Sequence, residues 1–459
     1  MTVRSTGHIP IILALLVAQA CAHRPPGVES GTVDSETLRR TFELGLDVAD
    51  RFRVSAVRSR RFTHEDLWAA LEGPVTASVL RVEEVGRSLH GRPIRTVTFG
   101  RGPTVVLLWS QMHGDESTAT MALADIINYF ADRSPDPFRD TILESLTVVT
   151  IPMLNPDGAQ LFQRRNAVGI DVNRDARRLA TPEARVLKEV RERVQPHFGF
   201  NLHDQSPHTL AGSGGPRAAI ALLAPAADEE RSWGPVRQRA RQVAAIIAGA
   251  LQTEIPGRVA RYGDAFNPRA FGDLMQQWGT STVLIESGVL DEDPEKQRLR
   301  AINVAALLVA LDAIANATYR SAGIYAYESL PPNRGFTCDL LVRGGMLVFG
   351  GTEPMRIDLA FAYNDAVADT GLVLREAGDL EGVEALEVID ATGLFLHPES
   401  PMITVEEGGG WLLIGAPAHL HLRRGSEKES ELVRVIGGSF RSLPPESEHS
   451  GKDDPVVPG

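Results

Sequence analysis

The apolar run Thr104 to Trp109 leads straight into Ser110-Gln111-Met112-His113-Gly114-Asp115-Glu116, and no other stretch restricts the folding of this chain as strongly. A continuous apolar run of that length reads as a strand covered on both faces of its sheet. The polar cluster at its carboxyl end then lies where open α/β sheets place their binding crevice. A His and a Glu three residues apart can grip one zinc ion, because imidazole nitrogen and carboxylate oxygen both suit Zn²⁺ at about 2.0–2.2 Å. A catalytic zinc takes three protein ligands and keeps one position open. The best candidate for the third ligand is His203, which ends a second strand-like run, Phe198-Gly199-Phe200-Asn201-Leu202-His203.

From Val79 onward, runs of this kind alternate with helical stretches. Val79 to Val85, Ile94 to Phe99, Leu146 to Ile151 and Ser281 to Ile285 read as further strands. Helices are expected over Ser117 to Phe130, Pro182 to Val194 with Thr181 as cap, Val236 to Leu251, and within Pro294 to Thr318. The order predicts an α/β domain over residues 79–319, a mixed sheet with helices on both faces. Residues 23–78 read as a tether and an N-terminal helical segment.

Beyond Tyr319 the apolar runs shorten and are broken by Gly, Asp, Asn and Pro. Runs at Asp339 to Phe349, Arg356 to Ala362, Leu386 to Ile389, Trp411 to Gly415 and Leu432 to Ile436 predict a small β-domain over residues 320–443. His419-Leu420-His421 alternates as an outer strand face would, and with no third ligand nearby in sequence it reads as structural. The Pro-, Glu- and Ser-rich residues 444–459 read as a disordered tail.

Residues 1–22 match a secretory signal: Arg4 is followed by the apolar core Ile11 to Ala18, and small residues surround Cys21. Two processing outcomes compete, acylation of Cys21 as the first residue of a bacterial lipoprotein and ordinary cleavage after Ala20 or Ala22. Either puts the protein outside the cytoplasm, as a periplasmic or envelope-anchored lipoprotein or as a secreted protein. Cys338 is the one other cysteine, so no disulfide framework is expected. With 59 acidic against 47 basic side chains the net charge is −12, which opposes a grip on phosphate backbones and argues against a nucleic-acid partner.

Further motifs follow in order: Gly86-Arg87-Ser88-Leu89-His90-Gly91-Arg92-Pro93-Ile94, then His113 to Glu116, Asn155-Pro156-Asp157-Gly158, Arg164-Arg165-Asn166, and Gly169-Ile170-Asp171-Val172-Asn173-Arg174-Asp175. His203 and Thr282 to Gly288, which contains Glu286, close the set. In this combination, over roughly residues 80 to 318, the chain resembles the zinc carboxypeptidases of the carboxypeptidase A family.

The resemblance implies one zinc per chain on His113, Glu116 and His203, with Asp171 orienting His113 from behind. It implies that Glu286 is the general base and then the general acid, and that Arg164 stabilises the oxyanion, with Arg165 one residue away. It further implies that Asn173 and Arg174 clamp the carboxylate of a peptide with a free C-terminus; protein, free peptide and cell-wall peptide are the alternatives for that substrate. The sequence departs from the family at His90, where an acidic residue is common, and after His203, where Asp204-Gln205 replace a pattern with tyrosine. Tyr262 is the nearest candidate for the family's active-site tyrosine, with Phe266 and Asn267 closer to its position; His208 and Asp264 are candidates for the cleft wall. Two other function classes are a zinc-dependent deacylase of N-acyl amino acids and a non-enzymatic binding protein on a peptidase fold.

Overall fold

The computed structural model describes residues 34–76, 79–335, 338–349, 352–363, 371–406 and 409–437. The leader with Cys21, the first part of the tether and the tail at 444–459 lie outside these residues. The first strands are β1 (Arg81–Arg87), β2 (Pro93–Gly100), β3 (Thr104–Ser110), β4 (Leu146–Ile151), β5 (Phe198–Asp204), β6 (Thr209–Ala211), β7 (Ile220–Leu223), β8 (Val259–Arg261) and β9 (Ser281–Ser287). All but β6 join one mixed sheet in the order β1-β2-β4-β3-β5-β9-β7-β8. Its centre, β4-β3-β5-β9, is parallel, whereas β2 joins β4 and β7 joins β9 antiparallel.

The two-residue period of β3 divides the core between the faces of the sheet. Val106 and Leu108 enter the apolar cluster shared with helices Thr118–Ala131, Pro235–Glu254 and Gln297–Ala315. Leu107 and Trp109 enter a second cluster, shared with helices Pro182–Val194 and Phe271–Gln277. The fold is therefore α/β with helices on both faces. Ahead of the sheet, helix Ser35–Arg51 opens at Asp34, whose carboxylate accepts the Glu36 and Thr37 N–H groups. It packs on helix Gln297–Ala315, and Gly45 permits the contact, since a Cβ there would stand 2.5 Å from the Ala305 Cα.

The chain beyond Tyr319, expected to enter the β-domain directly, first returns to the sheet. Helix Tyr325–Glu328 packs on Pro235–Glu254, and β10 (Asn333–Gly335) pairs antiparallel with β6. A second β-region follows: β11 (Cys338–Leu347), β12 (Met355–Tyr363), β13 (Leu372–Gly378), β14 (Ala385–Asp390), β15 (Phe395–Pro398), β16 (Ile403–Glu406), β17 (Gly409–Leu412), β18 (His419–Arg423) and β19 (Leu432–Gly437). It has its own core, including Leu340, Phe361, Leu396 and Leu422. The short strands β13, β15 and β16 were not marked by composition, because tertiary pairing rather than local propensity defines them. Asp339 of β11 joins the two regions, accepting from His208 Nε2 at 2.8 Å and pairing with Arg217.

Candidate active site and metal centre

At the end of β3 the backbone turns sharply, and Gln111 takes a left-handed φ of 50°. Such strain in a non-glycine residue persists only when the surroundings hold it. Here Asn155 N–H donates to Gln111 O at 3.1 Å, and Gln111 Nε2 donates to Gly114 O at 2.9 Å. Gly114 lies against the Asn155-Pro156-Asp157-Gly158 turn so closely that a Cβ on it would stand 2.0 Å from the Gly158 carbonyl carbon. Asp157 is held in turn by Ser88 Oγ at 2.8 Å, the His90 N–H at 3.0 Å and Arg92 Nη1 at 2.7 Å. Three separated motifs thus form one support beneath His113 and Glu116. His90 contributes its backbone N–H, so the unusual side chain at that position costs this support nothing.

His203 lies in β5 directly across from Glu286 of β9. Glu116 joins the two histidines: Oε1 is 2.7 Å from His113 Nδ1, and Oε2 is 2.6 Å from His203 Nδ1. The two Nδ1 atoms are 3.2 Å apart, and all three side chains are buried. On the far side of the ring, His113 Nε2 is 3.0 Å from Asp171 Oδ1. A proton on Nε2 satisfies Asp171 and leaves the Nδ1 lone pair for the site.

The electrostatics show what this donor set lacks. Burial disfavours a charged His113, yet the Glu116 and Asp171 carboxylates win and raise its pKa to about 9. Glu116 is held well below the carboxylate range despite its burial, by His113 and His203. His203 is pushed down by burial. A proton shared among these groups stands in for a cation, and a dication satisfies Glu116 while leaving both imidazoles neutral. The donor set therefore fits zinc: two imidazoles and a carboxylate, with donor atoms within 4.8 Å of one another.

Arg164 lies beside these donors, with Nη1 3.0 Å from Glu116 Oε1 and Nη2 3.0 Å from Asp171 Oδ2. Arg165 points elsewhere and donates to Gly169 O at 3.0 Å, so the register favours Arg164. Asn173 accepts the Phe271 N–H through Oδ1 at 2.9 Å, and Arg174 Nη1 donates to Asn173 O at 2.8 Å. Both, with Tyr262, line the same cavity as His113, Glu116 and Glu286. Burial and the Glu116 charge raise the Glu286 pKa well above the carboxylate range. Burial and Glu286 together raise that of the Tyr262 hydroxyl.

Neither cleft-wall candidate, His208 or Asp264, lines the cavity, and nor does Phe266, one of the two residues near the expected tyrosine position. His208 is taken up by Asp339 at the junction, Asp264 pairs with Arg231 and Arg237, and Phe266 packs into the apolar cluster beneath the helix Phe271–Gln277. Asn267 does line the cavity. So do Asn201 and Asp273, which the sequence reading did not single out, and Asp204, noted there only as a departure from the family pattern. The Asp204 N–H donates to Glu116 Oε2 at 3.2 Å, while its Oδ2 accepts from Lys296 Nζ at 3.0 Å and Thr118 Oγ1 at 2.7 Å. The signal available in the sequence was its place directly after His203. Burial raises the Asp273 carboxyl to about 6.

Replacing Asp171→Asn keeps the shape that caps Asn173 but removes the charge that orients His113. Zinc affinity should fall about 10–100-fold, as read by competition with a chromogenic chelator. An unchanged affinity would remove Asp171 from its proposed role.

Residues 75–201 match the family model described as zinc carboxypeptidase. Over this stretch the chain is similar to the zinc carboxypeptidases. Among curated relatives, a probable carboxypeptidase 2 of Trichophyton verrucosum is 30% identical over 121 residues, 26% of this chain and 22% of the relative. Carboxypeptidase SOL1 of Arabidopsis thaliana is 28% identical over 122 residues, 25% of each chain. The chain thus matches about a quarter or less of the length of these curated relatives. Among solved structures, a metallo-carboxypeptidase of Burkholderia cenocepacia is similar at 20% identity and a TM-score of 0.45, over 56% of this chain and 70% of its own. The matched family segment includes His113, Glu116, Asp171 and Arg174 and ends at residue 201, ahead of both His203 and Glu286. The part played by the last two therefore rests on the geometry of β5 and β9.

Proposed function

We propose that the chain is a zinc-dependent carboxypeptidase that removes C-terminal residues from peptides. One observation carries this reading: a single cavity of about 460 Å³ is lined by His113, Glu116, Glu286, Arg164 and Arg174. Those are the groups needed to hold a metal, move a proton and bind two anionic oxygens.

His113, Glu116 and His203 would hold zinc, which supplies Lewis acidity that acidifies water and polarises a carbonyl. Glu286 takes the proton of the attacking water and delivers it to the leaving amine. Desolvation and the neighbouring Glu116 charge favour its holding a proton between the two transfers. The Arg164 side chain is 42% exposed at the cavity wall, free enough to turn from Glu116 toward the carbonyl oxygen as that oxygen gains charge. Arg174 takes the terminal carboxylate through paired N–H donors, with Asn173 beside it and Tyr262 closing that side. An export leader at residues 1–22 would direct the enzyme to extracytoplasmic peptides, cell-wall peptides among them.

Paired peptides with free and amidated C-termini, assayed with and without a chelator, test this function. Release of the terminal residue from the free form alone, abolished by the chelator, is expected; cleavage of N-acyl amino acids in preference to peptides would favour a deacylase instead. Arg174→Ala should lower kcat/KM on free C-termini about 10- to 100-fold, the size of a lost charge-assisted contact. Zinc content should not change. Equal rates for the variant and wild type would remove Arg174 from the clamp.

A further inference from the structure

The second β-region contains a group of ligating side chains that the carboxypeptidase reading does not use. Along β18, residues alternate between core and surface: Leu420 and Leu422 are buried, while His419 and His421 share the outer face. β15 runs antiparallel beside it, with His397 directly across from His421. The ladder continues one step past β15, where the Glu399 N–H donates to His419 O at 2.9 Å. Glu399 therefore falls on the same outer face. The ladder thus supplies the third donor that the His-Leu-His motif lacked in sequence.

Glu399 Oε1 lies 3.3 Å from His421 Nδ1, and Oε2 lies 4.0 Å from His419 Nε2. Donors bound at about 2.0–2.2 Å to a tetrahedral zinc stand roughly 3.3–3.6 Å apart, so small side-chain rotations suffice. His419 is already oriented for the task. Its Nδ1 lies 2.8 Å from Ser400 O, a bond that places the proton on Nδ1 and leaves the Nε2 lone pair facing Glu399. His397 is committed elsewhere, with Nε2 3.1 Å from Gly425 O. Arg423 opposes a cation here, with its Nη2 3.4 Å from His421 Nδ1. Its Nη1 is anchored to Ser430 O at 2.8 Å, so the guanidinium can keep that bond when it gives up the long contact.

We propose that Glu399, His419 and His421 form a second divalent-metal site, with Zn²⁺ the ion that two imidazoles and one carboxylate suit best. The His419 and Glu399 side chains are 39% and 38% exposed, so the ion enters from solvent and keeps water in its remaining position. Bound there, it ties the end of β15 to β18.

The test is zinc stoichiometry of the full chain, equilibrated at micromolar free zinc and freed of unbound metal. Wild type should hold two equivalents, and the paired variant His419→Gln, His421→Gln should hold one with peptidase activity unchanged. The variant His113→Ala should also hold one. In that background Co²⁺ should give visible d–d absorption that His421→Gln removes. One equivalent in wild type, or two retained after both histidines are replaced, would overturn the proposal. Both residues lie on an outer face, and far-UV circular dichroism will verify that the paired variant is folded.

Discussion

Glu286→Gln should lower turnover by about 10²–10⁴-fold, the usual contribution of a general base, while the protein keeps its zinc and its fold. Glu286 stands across from His203 in the ladder between β5 and β9, yet it is not among the three side chains whose donor atoms converge. The carboxamide has nearly the same shape as the carboxylic acid and fills the same place at the cavity wall. It cannot accept a proton from water. Burial of a carboxylate next to Glu116 is costly, so replacing it with a neutral amide should leave stability unchanged or raise it. Metal analysis, peptide hydrolysis and thermal unfolding on one preparation decide the matter. Near wild-type turnover, or loss of zinc, would show that another group moves the proton.

His113→Ala should behave oppositely and lose the zinc of this site together with activity. Three donors converge at the site, and removing one leaves Glu116 facing a single imidazole. The drop in affinity should exceed the about 10–100-fold expected for the outer partner Asp171. Asp171 and Glu116 would also lose the ring that separates them and would keep Arg164 as their shared cation. Tighter closure of Arg164 over the vacated space is therefore expected. Titration with a fluorescent zinc indicator gives the affinity, and activity should track occupancy as zinc is added back. As many zinc equivalents in this variant as in wild type, bound with wild-type affinity, would rule out the ligand set.

The departures from the family pattern have different physical meanings. His90 acts through its backbone, which any residue supplies, so its side chain carries no functional information there. Asp204 replaces part of the expected pattern after His203, and it does so in a structural network: it fixes Glu116 with its N–H and binds the buried Lys296. Lys296 precedes helix Gln297–Ala315, so that helix is tied to the metal centre by a charge pair that no local pattern discloses.

The sequence by itself determined the elements whose information is local. Apolar runs of strand length marked β3, β4, β5 and β9, because a strand buried on both faces has no polar alternation to hide. The candidates His113, Glu116 and His203 were read from the carboxyl ends of those runs for the same reason, since a polar group ending a buried strand has few places to go but the crevice, whereas Glu286 was marked by the family resemblance. Only the tertiary structure decided what depends on neighbours distant in the chain. Register across β5 and β9 put Glu286 beside His203. The return of β10 onto β6 kept residues through Gly335 with the α/β region, and pairing of β15 with β18 brought Glu399 to His419 and His421. The destinations of His208 and Asp264 were equally out of reach, because their partners Asp339 and Arg237 lie 131 and 27 residues away. A side chain's charge is written in the sequence, but which opposite charge it meets is set by packing of the whole fold.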